Sequence, residues 1–200
     1  MNTEKLLYPL RPPTRRRVDG KQMLVLCLGL SQSGTDSLRS ALMILGYSDL
    51  YHGFVITGRQ REDRTFWVPL MRQKLCDPNF QESIDFDAVL ANCEAVTDGQ
   101  ANVFGEELLS YYLTAKVILG RRWNVNAWYE SMKTCLEVFS WPMWMLSWFD
   151  MNICWLWWHF DLVMKGYYNG DFEKYGKQVS KEHYERLEKR MADDQRPCPE

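Results

Sequence analysis

The chain has no surplus of positive charge. Its 200 residues carry 24 Lys and Arg against 26 Asp and Glu, a formal net charge of -2. With a sequence pI near 6.0, that balance argues against a general nucleic-acid binder. It also lacks a CxxC pair. Cys27, Cys76, Cys93, Cys135, Cys154 and Cys198 are scattered, and none has a histidine at metal-ligand spacing. The pattern excludes a zinc framework and reads as reduced, buried thiols of an intracellular protein, with no metal expected. No secretory leader is visible. Arg11 and Arg15 to Arg17 surround a Pro-Pro pair without a close apolar h-region, so this stretch reads as a solvated basic arm. There is no internal repeat and no low-complexity linker. One domain over residues 21–192 is expected, after an irregular arm (1–20) and before a polar tail (193–200).

An uninterrupted membrane-spanning run is missing as well. The stretch Ser140 to Phe160 reads SWPMWMLSWFDMNICWLWWHF, but Pro142, Asp150, Asn152 and His159 interrupt it. What the stretch does hold is tryptophan. The chain has nine, most of them between Trp123 and Trp158. A helical wall carrying Trp141, Trp144, Trp148 and Trp155 against an apolar ligand is the expected use. A homodimer face or a helix lying on a membrane surface would use the same residues. The expected location is cytoplasmic, with membrane-peripheral attachment as the variant.

The most telling segment is LVLCLGLSQSGTDSLRSALMILG, residues 24–46. An apolar run meets a small-residue loop (Gly29 to Gly34), and an amphipathic helix pattern follows. A strand, a glycine-flanked loop and a helix start build a phosphate site from backbone N–H groups and the helix dipole. The spacing Gly29-x4-Gly34 is that of a P-loop. Thr35 and Asp36 stand where a nucleotide triphosphatase needs Lys and Ser/Thr, and no lysine lies in the loop. An ordinary ATPase is excluded.

Along the chain, Met23 to Leu28, Glu94 to Thr97 and Ala115 to Leu119 read as buried strands, and Ser48 to His52 as a short extended segment. Helical spacing covers Thr35 to Leu45, Arg64 to Leu75, Ser83 to Leu90, Phe104 to Leu113, Val125 to Phe139, Trp141 to Tyr168 and Asp171 to Met191. Alternating strands and helices give an α/β fold: a three-layer parallel sheet flanked by helices, with a Trp-rich helical C-terminal part. Ligands of such sheets bind at the C-terminal strand ends. Here those ends are Gly29 to Gly34, Asp98 to Gln100 and Gly120 to Arg122. Arg121 and Arg122, directly after a strand, are candidates for phosphate contact.

The segments GLSQSGTDSLRSALMILGY, Tyr51-His52, AVTDGQANVFGEELLSYYLTAKVIL, RRWNVNAWYESM and GDFEKYGKQVSKEHYERL resemble the P-loop sulfotransferase-like proteins. They resemble in particular the fungal and bacterial branch whose loop reads GLxRTGTxSL. The resemblance covers roughly residues 23–190. It implies a P-loop NTPase/sulfotransferase-like sheet and, for members that are enzymes, 3′-phosphoadenosine-5′-phosphosulfate (PAPS) as donor without a metal. By the same likeness Gln32, Ser33, Gly34, Thr35 and Ser37 would cradle the phosphosulfate. Arg122 or Arg121, with Ser131, would grip the 3′-phosphate. His52 matches a recurring histidine and is a general-base candidate, with Asp98 a second. His159 and His183 read as structural.

Three departures mark a divergent member. Gln32 stands where the family has Arg or Lys. RWNVNAWYES replaces RDxxxWYxS, which would displace Ser131 relative to Arg122. The chain stops about where relatives begin a further segment, so a C-terminally short member is expected. Three functions follow. The first is sulfuryl transfer from PAPS to a hydroxyl of an apolar small molecule. The second is a sulfotransferase fold that has lost PAPS chemistry. It would act as a cyclase, isomerase or dehydratase in secondary metabolism, with His52, Asp98 or Asp150 doing acid–base work. The third is a non-catalytic binding protein.

Overall fold

The computed structural model describes residues 13–18, 20–53, 61–77, 79–80 and 83–194. The expected tail beyond residue 194, with Cys198, and the part of the arm that holds Arg11 lie outside the described residues.

Among the described residues four short strands form the sheet: β1 (Val25–Cys27), β2 (Leu50–Tyr51), β3 (Ala95–Thr97) and β4 (Lys116–Ile118). Their order is β2-β3-β1-β4. Every pairing is parallel, with Leu26 opposite Val96 and Val117, and Tyr51 opposite Val96. The helices are α1 (Thr35–Ile44), α2 (Arg64–Cys76), α3 (Asp87–Leu90), α4 (Gln100–Val103), α5 (Gly105–Tyr111), α6 (Val125–Glu137), α7 (Trp141–Leu146), α8 (Met151–Leu162) and α9 (Phe172–Asp193). A π-helical turn, Val163–Tyr167, follows α8.

Side chains alternate across a strand, and the alternation here decides which core each joins. Leu26, Tyr51, Val96 and Val117 enter the main core with Trp67, Phe86, Phe104, Leu108 and Trp155. Val25, Cys27 and Ala95 face the other way, against Leu42 and Leu38 of α1. Helical side chains therefore cover both faces, which explains why the strands read as continuous apolar runs. Burial pushes the Cys27 thiol up to about 12, so it is inert at neutral pH. Cys76, by contrast, is exposed.

Several elements differ from the sequence expectation. The strands are shorter than the apolar runs, and the extended segment at 48–52 is a paired strand, β2. Within Ser83 to Leu90 only Asp87–Leu90 is helical. The single helical region expected over Trp141 to Tyr168 breaks after α7, because the Asp150 carboxylate accepts from Asn152 N at 2.8 Å and Ile153 N at 2.9 Å and so starts α8. Pro142 opens α7, where a missing N–H costs nothing. Among the described residues no helix is long and apolar enough to cross a membrane.

Two arginines of the basic arm are not solvated, while Arg16 between them stays exposed. Arg15 and Arg17 keep only 19% and 20% of their side-chain surface exposed. Arg15 donates to Asp63 at 2.7 Å and to Val89 O at 2.7 Å. Arg17 pairs with Asp87 at 2.6 Å and donates to Leu90 O at 3.1 Å. The segment is clipped to α3 and to the start of α2. Asp63 in turn accepts from the buried Tyr51 hydroxyl at 2.9 Å, and Tyr51 from Trp67 Nε1 at 2.8 Å.

Candidate active site

The loop from Leu28 to Gly34 leaves the C-terminal end of β1 and enters α1 through Gly34 at φ 91°. Gln32 sits at φ 65°, a backbone state uncommon for a residue with a side chain. Gly29 is required by close approach: a Cβ there would collide with Gly120 O at the end of β4. Among the described residues no side chain caps α1, so its first N–H groups lack a side-chain partner there.

Distant residues pin this loop. Trp128, buried on α6, donates from Nε1 to Ser31 O at 2.9 Å. Asn102 on α4 hydrogen-bonds Ser31; with its amide turned, it also donates to Gly29 O at 2.7 Å and accepts from Ser31 N at 3.0 Å. From α9, Tyr184 accepts from Leu30 N at 3.3 Å and donates to Gly120 O at 2.8 Å. His183 meets Leu28 O through Nε2 at 2.8 Å and the Tyr167 hydroxyl through Nδ1 at 2.6 Å. A carbonyl only accepts, so Nε2 carries the proton and Nδ1 accepts from Tyr167. Burial lowers His183 to about 4, which keeps it in that neutral form.

The loop, the end of β3 and the inner sides of α6 and α8 enclose a cavity of about 740 Å³. One end is polar: Gln32 to Ser37, His52, Asp98, Gln100 and Arg122. The other is apolar, formed by Met132, Val138, Phe139, Leu156, Phe160 and Val163.

His52 and Asp98 follow adjacent strands, β2 and β3, by one residue each, and so emerge side by side. His52 Nδ1 lies 3.7 Å from Asp98 Oδ2, with 2% and 15% of the side chains exposed. Burial pulls the His52 pKa below its usual value, against the opposing pull of Asp98. Asp98 is held at φ 68°, and its Oδ1 has no partner among the described residues. Gly53 makes room for the pair, since a Cβ there would lie 2.5 Å from Asp98 Oδ2.

The residues expected at the donor site divide. Gln32, Ser33, Gly34, Thr35, Ser37 and Arg122 line the cavity. Arg121 points elsewhere, pairing with Glu188 at 3.1 Å and stacking over Tyr184 at 4.2 Å. Ser131 lies just behind the wall, and its hydroxyl donates to Gln32 Oε1 at 3.0 Å. Arg122 reaches Gln32 O at 3.4 Å. The altered segment before α6 still starts a helix, because Asn124 accepts from Asn126 N at 2.8 Å as N-cap. Trp123 is fully exposed.

None of the four tryptophans expected to form the pocket lies on it. Trp141, Trp144 and Trp148 are exposed at 70%, 44% and 67%, while Trp155 is buried in the main core. The π-turn and α8 supply the cavity wall through Leu156, Phe160 and Val163 instead. His159, read as structural, lines it, as does Gln100, which the sequence reading named only as the last residue of a strand-end segment. Gln100 had a sequence signal, its position two residues beyond Asp98 at a strand end. His159 had none beyond being a polar residue in an apolar run.

The small parallel sheet, flanked by helices and with a glycine-flanked loop feeding a helix at the strand ends, defines a mixed α/β fold. Residues 24–197 match the family described as "Sulfotransferase domain", and the chain belongs to that family. It is also 38% identical over 148 residues to "Ava biosynthesis cluster protein M" of Aspergillus versicolor. That alignment covers 72% of this chain and 55% of the relative, so the chain spans about half the relative's length.

Proposed function

We propose that the chain is a biosynthetic enzyme that keeps the sulfotransferase fold but performs acid–base chemistry on a neutral, apolar small molecule. The reaction class is cyclisation, isomerisation or dehydration. The observation that carries this reading is the charge of the cavity. Among the described residues its ionic side chains are Asp36, Asp98 and Arg122, and Arg39 is paired with Asp36 at 3.1 Å. PAPS carries a sulfate and two phosphate groups. A single cation beside the Asp98 carboxylate does not balance them in a partly desolvated site. The described residues therefore do not fit the donor. In the acid–base reading, neutral His52 removes a substrate proton and the Asp98 carboxylate offsets the imidazolium that forms. The apolar end holds the carbon skeleton. The name of the Aspergillus relative is in keeping with work inside a biosynthetic cluster.

One observation favours sulfuryl transfer as the second reading. The N-terminus of α1 has no side-chain cap, and Arg122 stands beside the loop that leads to it. The two readings separate by product mass. The purified protein would be incubated with metabolites of a strain lacking its gene, with and without PAPS. The first reading expects a product of unchanged mass, or one short of a water, formed without PAPS and not formed by Asp98→Asn. A product that gains a sulfuryl group, and only when PAPS is present, would overturn it.

A further inference from the structure

In the cavity wall, two residues beyond Asp98, one contact bears on what the cavity recognises. Gln100 begins α4 and His159 lies on α8. Their exposures are 2% and 7%, and both line the cavity. Gln100 Nε2 and His159 Nε2 are 3.4 Å apart. Beyond that contact each side chain keeps one buried polar atom, Gln100 Oε1 and His159 Nδ1, with no partner among the described residues. The nearby lining is apolar: Val103, Leu156, Phe160 and Val163.

However the amide and imidazole are assigned, the pair keeps both a free donor and a free acceptor, although the two atoms exchange roles. Burial, with Arg64 nearby, lowers His159 to about 4, so the ring is neutral and carries one proton. If Gln100 Nε2 donates to His159 Nε2, then Nδ1 holds the ring proton. The pair then keeps His159 Nδ1–H and the second amide N–H as donors and Gln100 Oε1 as acceptor. If the amide is turned, His159 Nε2–H donates to the amide oxygen. Nδ1 is then the acceptor and the Gln100 amide the donor. In both arrangements at least one donor and one acceptor remain side by side, with apolar side chains around them. Leaving both unmet costs about 1–3 kcal/mol for each group.

We propose that Gln100 and His159 form the recognition point of the cavity for a neutral ligand group that both donates and accepts a hydrogen bond, a hydroxyl or a lactam. The pair sets which apolar molecules the cavity accepts and rejects skeletons without such a group. This rests on the reading that the cavity binds an apolar small molecule, and deepens it by naming the functional group. An anion finds no positive charge in the neutral pair, and a pure hydrocarbon leaves both atoms unsatisfied.

Three bicyclic probes of similar size test the proposal on the full chain: indane, 2-indanol and oxindole. Dissociation constants would be measured by ligand-observed NMR, together with ¹⁵N shifts of histidine-labelled protein. The expected result is that 2-indanol, oxindole or both bind about ten-fold or more tightly than indane, and that they move the His159 Nδ1 resonance while indane does not. Whichever probe shows the advantage identifies the group. Gln100→Leu and His159→Phe should each erase the advantage and leave indane binding in place. The wild-type comparison and the ¹⁵N shift stand whether or not either variant folds. Equal affinity of the three probes for the wild type, or an advantage unchanged in both folded variants, would overturn the proposal and leave the cavity reading intact. Failure of all three probes to bind would overturn both.

Discussion

The Ser131 hydroxyl donates to the side-chain oxygen of Gln32 across 3.0 Å. Two positions that the family resemblance assigns to gripping a charged donor are thus bonded to each other. Gln32 has a polar head of the right length but no charge, and the helix that carries Ser131 closes on it. Ser131→Ala removes one partly buried neutral hydrogen bond, at a cost of about 1 kcal/mol. Urea unfolding measures this directly. A cost near 3 kcal/mol would mean that the bond holds the loop in place rather than merely satisfying it.

The loop's stronger fixture is His183. It bridges Leu28 O and the Tyr167 hydroxyl from a site with 1% exposure. His183→Phe keeps an aromatic ring but leaves the Leu28 carbonyl and the Tyr167 hydroxyl without that partner. The expected loss is about 2–4 kcal/mol. Amide exchange of Leu30 to Ser33 should accelerate more than that of β3. Unchanged protection in the loop would contradict the fixture.

Acid sensitivity follows from the same residue and from His159. Both fold with pKa values lowered to about 4 by burial, against about 6.5 in an unfolded chain. Between those values the unfolded state binds protons that the native state refuses. Their contribution to stability is therefore complete above pH 6.5 and is lost as pH falls toward 4. The loss is of order 3 kcal/mol for each histidine. Urea midpoints at pH 7.5, 6, 5 and 4.5 should decline through this window, and His159→Phe should flatten roughly half of the decline. A flat profile would contradict burial of either ring.

The N-terminal clip gives a fourth test. Arg15 is the cation paired with Asp63, whose side chain is wholly buried. Burial raises the Asp63 pKa while its bonds from Arg15 and Tyr51 pull it down. Arg15→Ala strands that carboxylate, and a loss of about 3–5 kcal/mol is expected. Asp63→Asn in the Arg15→Ala background should recover part of it. A cost below 1 kcal/mol for Arg15→Ala would place the arm in solvent after all.

The layer order and the loop were legible from sequence because they rest on local signals. Apolar runs of strand length and the glycine spacing at Gly29 and Gly34 need no knowledge of distant contacts. The segment from Trp141 to Phe160 misled because composition says how apolar a helix is and not which side it buries. Asp150 read as an interruption or an acid–base candidate, and it turned out to cap α8. The exposed Trp141 and Trp148 and the core Trp155 look alike in sequence, and only packing separates them. Arg15 and Arg17 looked solvated because their partners, Asp63 and Asp87, lie about 48 and 70 residues away. Gln100 and His159 are 59 residues apart, and no local pattern joins them.

The claim at the centre is that this sulfotransferase-family cavity no longer takes the phosphosulfate donor. Isothermal titration of the purified full chain with adenosine 3′,5′-bisphosphate, at low ionic strength to favour any charge interaction, tests it most directly. No saturable heat is predicted up to millimolar nucleotide. A micromolar dissociation constant that is lost in Arg122→Ala would contradict it and return the loop to donor binding.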